Sequence, residues 1–144
     1  MSKPLIFSES ALTNMLMDLK DAFPNEGCGF LFGTDSDKRE IVEAQKVINS
    51  KEGDQRRRFE INPTDYMKAE RYADENNFKL IGIYHSHPNH PAKPSEHDLK
   101  QAFPYFSYVI VSVMNGEIAN ITSWQLDENG KFKEEIIENE YIKN

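Results

Sequence analysis

Two histidines stand two positions apart, His85 and His87, directly before Pro88, and Ser95 and Asp98 stand three apart just past a proline-containing stretch. Imidazole nitrogens and a carboxylate oxygen are the donors that zinc takes in catalytic sites, where three protein ligands leave one tetrahedral position for water. Zinc held in this way lowers the pKa of that water to about 7 and makes hydroxide available. Side chains at i and i+2 share a face only on a strand, so the two histidines converge on one ion if a strand carries them. Ser95 and Asp98 have a second reading, because Ser-x-x-Asp is a capping box, with Asp in place of Glu, at a helix start.

The elements needed to position these residues are legible. Phe78 to Tyr84 is strongly β-like and delivers the histidines at the end of an apolar strand, which Pro88 terminates because it has no N–H for the ladder. Asn89 to Pro94 must be a loop, and Ser95 to Ala102 reads as a short helix. Upstream, Lys3 to Phe7 reads as a strand. Ser8 to Phe23 reads as a helix with Leu12, Met15, Leu16 and Leu19 on one stripe, and Ser8 or Ser10 as its cap. Cys28 to Phe32 and Glu40 to Ile48 read as strands, Asn49 to Gln55 as a polar loop, and Arg56 to Ile61 as a further strand. Asn62 and Pro63 start a helix that runs to about Asn76. Ser107 to Met114, Glu117 to Leu126 and Lys131 to Ile137 read as strands joined at two Asn-Gly pairs, the strongest short hairpin signal. The order β–α–β–β–β–α–β–α–β–β–β predicts an α/β (α+β) fold, a mixed sheet flanked by helices.

At 144 residues the chain, 1–144, fits one domain. Nine Phe, six Tyr and one Trp give it material for a core, so its 28% of charged residues does not signal disorder. A net charge of −7 gains nothing from counterion release on a phosphate backbone, so nucleic acid is not expected as a partner. One cysteine, Cys28, excludes an intrachain disulfide framework and a four-cysteine zinc site. No signal peptide is apparent, and no apolar run approaches the roughly 20 residues that cross a bilayer. A cytoplasmic location without membrane attachment is the expectation.

His-Ser-His-Pro, six residues, then Ser-x-x-Asp resembles the signature of the JAMM metallopeptidases, the metal-binding branch of the MPN superfamily. Asn25-Glu26 before the Gly-containing run to Gly33, and Phe59 to Pro63, resemble further features of the small bacterial single-domain members. The resemblance implies a curved mixed sheet similar to the cytidine-deaminase fold. It implies that His85, His87 and Asp98 are the zinc ligands and that Glu26 is the general base for the zinc-bound water. It also implies that Ser95 helps stabilise the oxyanion. The substrate it implies is an (iso)peptide bond at the C-terminal Gly-Gly of a ubiquitin-like or sulfur-carrier β-grasp protein.

Taken without the resemblance, Glu26 is one of 24 acidic residues and reads as a solvated carboxylate. Cys28 lies in an apolar run and reads as a small hydrophobe rather than a nucleophile. His90 and His97 read as exposed. Arg56, Arg57 and Arg58 form the only basic cluster, either a solvated strand end or a contact for an acidic patch on a protein substrate. A zinc nucleobase deaminase needs a Pro-Cys-x-x-Cys pair and His-x-Glu, which one cysteine and His-Ser-His exclude. A non-catalytic MPN-type scaffold is the alternative from another class, and the filled set of ligand positions favours the enzyme.

Overall fold

A computed structural model describes residues 3–56 and 58–139. The elements, in chain order, are β1 (Leu5–Phe7), α1 (Glu9–Ala22), β2 (Cys28–Asp35), β3 (Arg39–Val47), α2 (Pro63–Glu75), β4 (Lys79–Pro88), α3 (Glu96–Gln101), β5 (Ser107–Met114), β6 (Glu117–Leu126) and β7 (Phe132–Glu135). Local chemistry sets most boundaries. Ser8 caps α1 by accepting from the Ala11 N–H, and Asn62 caps α2 by accepting from the Thr64 N–H, with Pro63 at the first turn. Asn115 and Gly116 both take positive φ, 52° and 85°, the two-residue turn whose twist matches a hairpin. At the next hairpin the Gly130 N–H donates to the Asp127 carbonyl at 3.1 Å, and Gly130 takes φ 73°, so a wider turn joins β6 to β7.

The seven strands form one mixed sheet in the order β1-β3-β2-β4-β5-β6-β7. β1 pairs parallel with β3 and β4 parallel with β5, and the remaining pairs are antiparallel. The sheet curls until its edges meet. The Leu5 N–H donates to the Ile136 carbonyl at 2.9 Å, and the Glu138 N–H to the Leu5 carbonyl at 2.8 Å. The Asn139 amide extends that seam by bonding both backbone groups of Phe7. One face packs on α1 through Leu12, Met15 and Leu19 against Leu31, Ile81, Val109 and Val111. The opposite face packs on α2 through Ala69 and Ala73 against Phe30, Phe32, Ile83 and Tyr108.

Residues 58–61 are not part of the strand expected over Arg56 to Ile61. Phe59 and Ile61 do point into the second core, which is the source of the apolar alternation, but among the described residues no strand lies beside them to complete a ladder. The Glu60 N–H donates to the Asn49 side chain, and the Glu60 carbonyl accepts from Ser50. Arg57 lies outside the described residues; Arg56 and Arg58 are exposed. β4 continues to Pro88, past the apolar run, because β5 supports it in register from Gly82↔Ser107 to Pro88↔Val113.

Gly82 makes that parallel pairing possible, since a Cβ there would stand 1.8 Å from the Ser107 carbonyl oxygen. Gly82→Ala is expected to cost about 3 kcal/mol, the upper range for overpacking. Gly53→Ala adds a methyl that meets nothing within 4 Å and should cost only about 1 kcal/mol of left-handed backbone strain. Urea midpoints of the two variants measure the difference, and equal losses would refute the close approach at Gly82.

Candidate metal centre

β4 sets the two histidines. Ile83, His85 and His87 alternate onto the α2 side, while Tyr84 faces α1 and donates its hydroxyl proton to Asp18 Oδ2 at 2.7 Å. His85 is 1% exposed and its ring stacks on Phe59 at 4.4 Å between centroids. His87 donates Nδ1–H to the Pro91 carbonyl at 2.9 Å, the only role open to a nitrogen facing a carbonyl, so a neutral ring presents its Nε2 lone pair to the site.

The loop that returns the chain to α3 is held by neighbouring strands. Ser112 on β5 donates to the His90 carbonyl at 2.6 Å, and Thr122 on β6 donates to the Ala92 carbonyl at 2.6 Å. α3 then opens with a full capping box. Ser95 Oγ accepts from the Asp98 N–H at 3.1 Å, and Asp98 Oδ2 accepts from the Ser95 N–H at 2.8 Å. The helix cap and the ligand reading therefore describe one arrangement, because the box aims the carboxylate. His85 and His87 Nε2 are 3.1 Å apart, His85 Nε2 is 3.3 Å from Asp98 Oδ1, and His87 Nε2 is 3.2 Å from Asp98 Oδ2.

These distances fit a small tetrahedral cation. Donors at 2.0–2.1 Å from such an ion stand about 3.3 Å apart. Without an ion, a proton on an imidazole nitrogen has to separate the lone pairs of the three groups. Burial opposes that charge on His87, but the bond to Asp98 accordingly raises its pKa. Asp98 is held in its ionised form: burial opposes this, but the His85 charge and the bonds from His85, His87 and the Ser95 N–H outweigh it. Burial lowers the pKa of His85 against the pull of Asp98, toward the neutral ring that a ligand must be. The described residues contain one group of three or more His, Cys, Asp or Glu able to hold a metal, and it is His85, His87 and Asp98.

Glu26 reaches the same place from β2. The β2–β4 register ends on Cys28 paired with His85, and continuing it by two residues sets Glu26, just before β2, against His87. The Ser86 N–H donates to the Gly27 carbonyl and the Gly27 N–H to Ser86 Oγ, which carries the pairing that far. Glu26 is 6% exposed, and burial pushes its carboxyl up to about 8, with His87 pulling it down and Asp98 adding to the rise. Glu26, His87, His90, Pro91, Lys93 and Ser95 line one cleft of about 570 Å³.

Residues 8–127 match the family described as prokaryotic homologs of the JAB domain. The chain belongs to this family. A desampylase of Pyrococcus furiosus is 32% identical to this JAB-domain chain over 111 residues, 76% of the chain and 72% of the relative. A probable TtuB-protein conjugate cleaving protease of Thermus thermophilus is 42% identical over 48 residues, covering 33% of the chain and 32% of that protein. A solution structure of a protein from Desulfitobacterium hafniense shares the architecture, with a TM-score of 0.80 and 29% identity across 96% of this chain and 95% of that one.

The fold of this JAB-domain chain thus gathers Glu26, His85, His87, Ser95 and Asp98, though they span 73 positions of sequence. His90 is exposed at the cleft. His97 differs from the expectation of exposure: it is half-buried on α3, and its Nε2 has no partner among the described residues. Cys28 is buried, and burial pushes its thiol up to about 12, which leaves it without nucleophilic character. From sequence, Phe59 has only a place in a strand and its junction with a helix, and Asn49 only the start of a polar loop, yet both bear on the site. Phe59 stacks on a candidate ligand, and Asn49 is bonded to the Glu26 backbone. An asparagine in a polar loop carries no signal of such a role.

The Glu26 environment fixes a sign for linkage in metal-free protein. Its pKa rises from 4.5 to about 8 on folding, so its contribution to stability is complete below 4.5 and is lost as pH rises toward 8. After treatment with a chelator, wild-type protein should lose stability relative to Glu26→Gln between about pH 5 and about pH 8. Denaturant midpoints across that range measure it, and parallel curves for the two proteins would rule out a buried titrating Glu26.

Proposed function

We propose that the chain is a zinc-dependent isopeptidase that cleaves ubiquitin-like or sulfur-carrier β-grasp proteins from their conjugates, at the amide bond after a C-terminal Gly-Gly. The observation that carries this reading is the buried His85, His87 and Asp98 triangle, whose His87 lines one cleft with Glu26. It is supported by membership of the JAB-domain family and by similarity to a desampylase and a probable conjugate-cleaving protease. The net charge of −7 disfavours a nucleic-acid partner, and no helix among the described residues is long and apolar enough to cross a membrane. The reading treats 1–144 as one catalytic domain acting in the cytoplasm.

Two nitrogens and one oxygen form a donor set that suits zinc, held by His85, His87 and Asp98. Zinc supplies a Lewis acid that lowers the pKa of water to about 7. Glu26 is the general base: it accepts a proton from the attacking water and returns it to the leaving nitrogen as the amide breaks. Burial favours its protonated form and the positive charge of the loaded site its ionised form, so it can both take and give a proton near neutral pH. Ser95 Oγ accepts from the Asp98 N–H and keeps its own proton to donate to the carbonyl oxygen, where negative charge develops. Glycine before the cut lets the backbone pass close to these groups without a side chain in the way.

Purified protein should hold close to one zinc per chain by metal analysis after dialysis, and a His87→Ala, Asp98→Ala double variant should hold none. Equal zinc in the two proteins would remove the metal assignment.

Glu26→Gln should keep its zinc and lose roughly 10²–10⁴-fold in turnover. The substrate is a Gly-Gly-ended β-grasp protein joined by an amide to a fluorophore. A matched Ala-Ala substrate should be cleaved far more slowly by the wild type. Equal rates on the two substrates would contradict the tail specificity, and normal turnover by Glu26→Gln would contradict the base.

A further inference from the structure

Glu26 lies outside the sheet ladder that positions the two histidines. β2 begins at Cys28, and β3 ends opposite it at Val47. Continuing that antiparallel register by two residues sets Asn49 against Glu26, in the loop between β3 and α2. Both backbone groups of Glu26 bond to this loop. Its carbonyl accepts from Asn49 Nδ2 at 3.0 Å, and its N–H donates to the Gln55 carbonyl at 2.6 Å.

The Asn49 side chain also holds the loop in shape. Nδ2 donates to the Arg58 carbonyl at 3.1 Å, while Oδ1 accepts from the Lys51 N–H at 3.0 Å and the Glu60 N–H at 3.1 Å. Two donors and two acceptor sites are the full capacity of a carboxamide, and all four are used. Gln55 Nε2 closes the circuit by donating to the Asn49 carbonyl at 3.1 Å and the Lys51 carbonyl at 2.9 Å. The next residue but one after Arg58's neighbour Phe59, Ile61, enters the core beside Phe59, whose ring stacks on His85. The loop is thus anchored at the metal site and grips the peptide of the base.

We propose that Asn49 is a positioning residue: it replaces the missing ladder bond and fixes the Glu26 carboxylate relative to His85, His87 and Asp98. The proposal rests on Glu26 being the general base. A misplacement of about 1 Å can cost roughly 10²-fold in rate, so one lost tether should be visible in turnover.

Asn49→Asp keeps the acceptors for Lys51 and Glu60 and removes both donors. Asn49→Ala removes the donors without adding charge. Zinc-loaded variants are compared on the Gly-Gly fluorophore substrate, and backbone amide exchange is followed by NMR. Both variants should keep wild-type zinc content, hold KM within about twofold and lose about tenfold or more in kcat. The Glu26 amide should exchange at least about tenfold faster, with the β4 amides unchanged. In a Glu26→Gln background neither variant should reduce residual turnover further, because the group being positioned is gone. Ser50→Ala, which removes a loop bond to the Glu60 carbonyl without touching Glu26, should turn over normally. Wild-type kcat in both Asn49 variants, losses that multiply with Glu26→Gln, or an equal loss in Ser50→Ala would overturn the proposal. Normal turnover by Glu26→Gln, or none by wild type, would instead defeat the functional reading. In that event, the Glu26 amide exchange still decides whether Asn49 holds the peptide: faster exchange supports the tether and unchanged exchange ends it.

Discussion

Two imidazoles and a carboxylate lie within 3.3 Å of one another in a buried place, and neutral rings beside an ionised acid require a proton or a cation between them. The rest of the site is organised around that requirement. His87 is fixed in the tautomer that offers Nε2 by the Pro91 carbonyl, and Asp98 is turned inward by the N–H of its own helix cap. Bonds of this kind orient ligands before any ion arrives, and so limit the reorganisation that binding requires.

Backbone register carries this chemistry. The β2–β4 pairing, which ends two residues short of Glu26, directs the chain toward His87, and the β4–β5 pairing carries β4 to Pro88, so the histidines stay on one face. Gly82 allows the second pairing at a place where a side chain would meet the Ser107 carbonyl oxygen. The loop from Asn89 to Pro94 has little structure of its own. It is pinned from outside by Ser112 and Thr122, polar side chains on strands whose other residues are largely apolar.

Burial has different consequences for the three kinds of acid and base gathered here. Asp98 stays ionised because the histidines and a backbone N–H favour its charge over the cost of burial. Among the described residues none bonds the Glu26 carboxylate in that way, and burial raises it. Two neighbouring carboxyl groups are thereby pushed in opposite directions, the physical condition under which one site can run two different carboxylate roles.

Short-range signals made much of the protein legible from sequence alone. Ser8 and Asn62 mark helix starts, Asn115-Gly116 marks a hairpin, and the apolar run into His85 and His87 marks a strand with both rings on one face. These depend on residues a few positions apart, where chirality and hydrogen-bond geometry leave few choices. The Ser95 and Asp98 spacing was legible too, but left open a cap or a ligand; the folded site shows one carboxylate placed for both. What tertiary structure decided lies at long range. Phe59 and Ile61 alternate like a strand, yet with no strand beside them among the described residues the segment became a loop pinned by Asn49. Glu26 looks like any surface carboxylate until β2 and β4 pair, and nothing local marks Asn49 as the group on its carbonyl. Burial and register are properties of the assembled sheet, and no stretch of chain holds either of them before the strands meet.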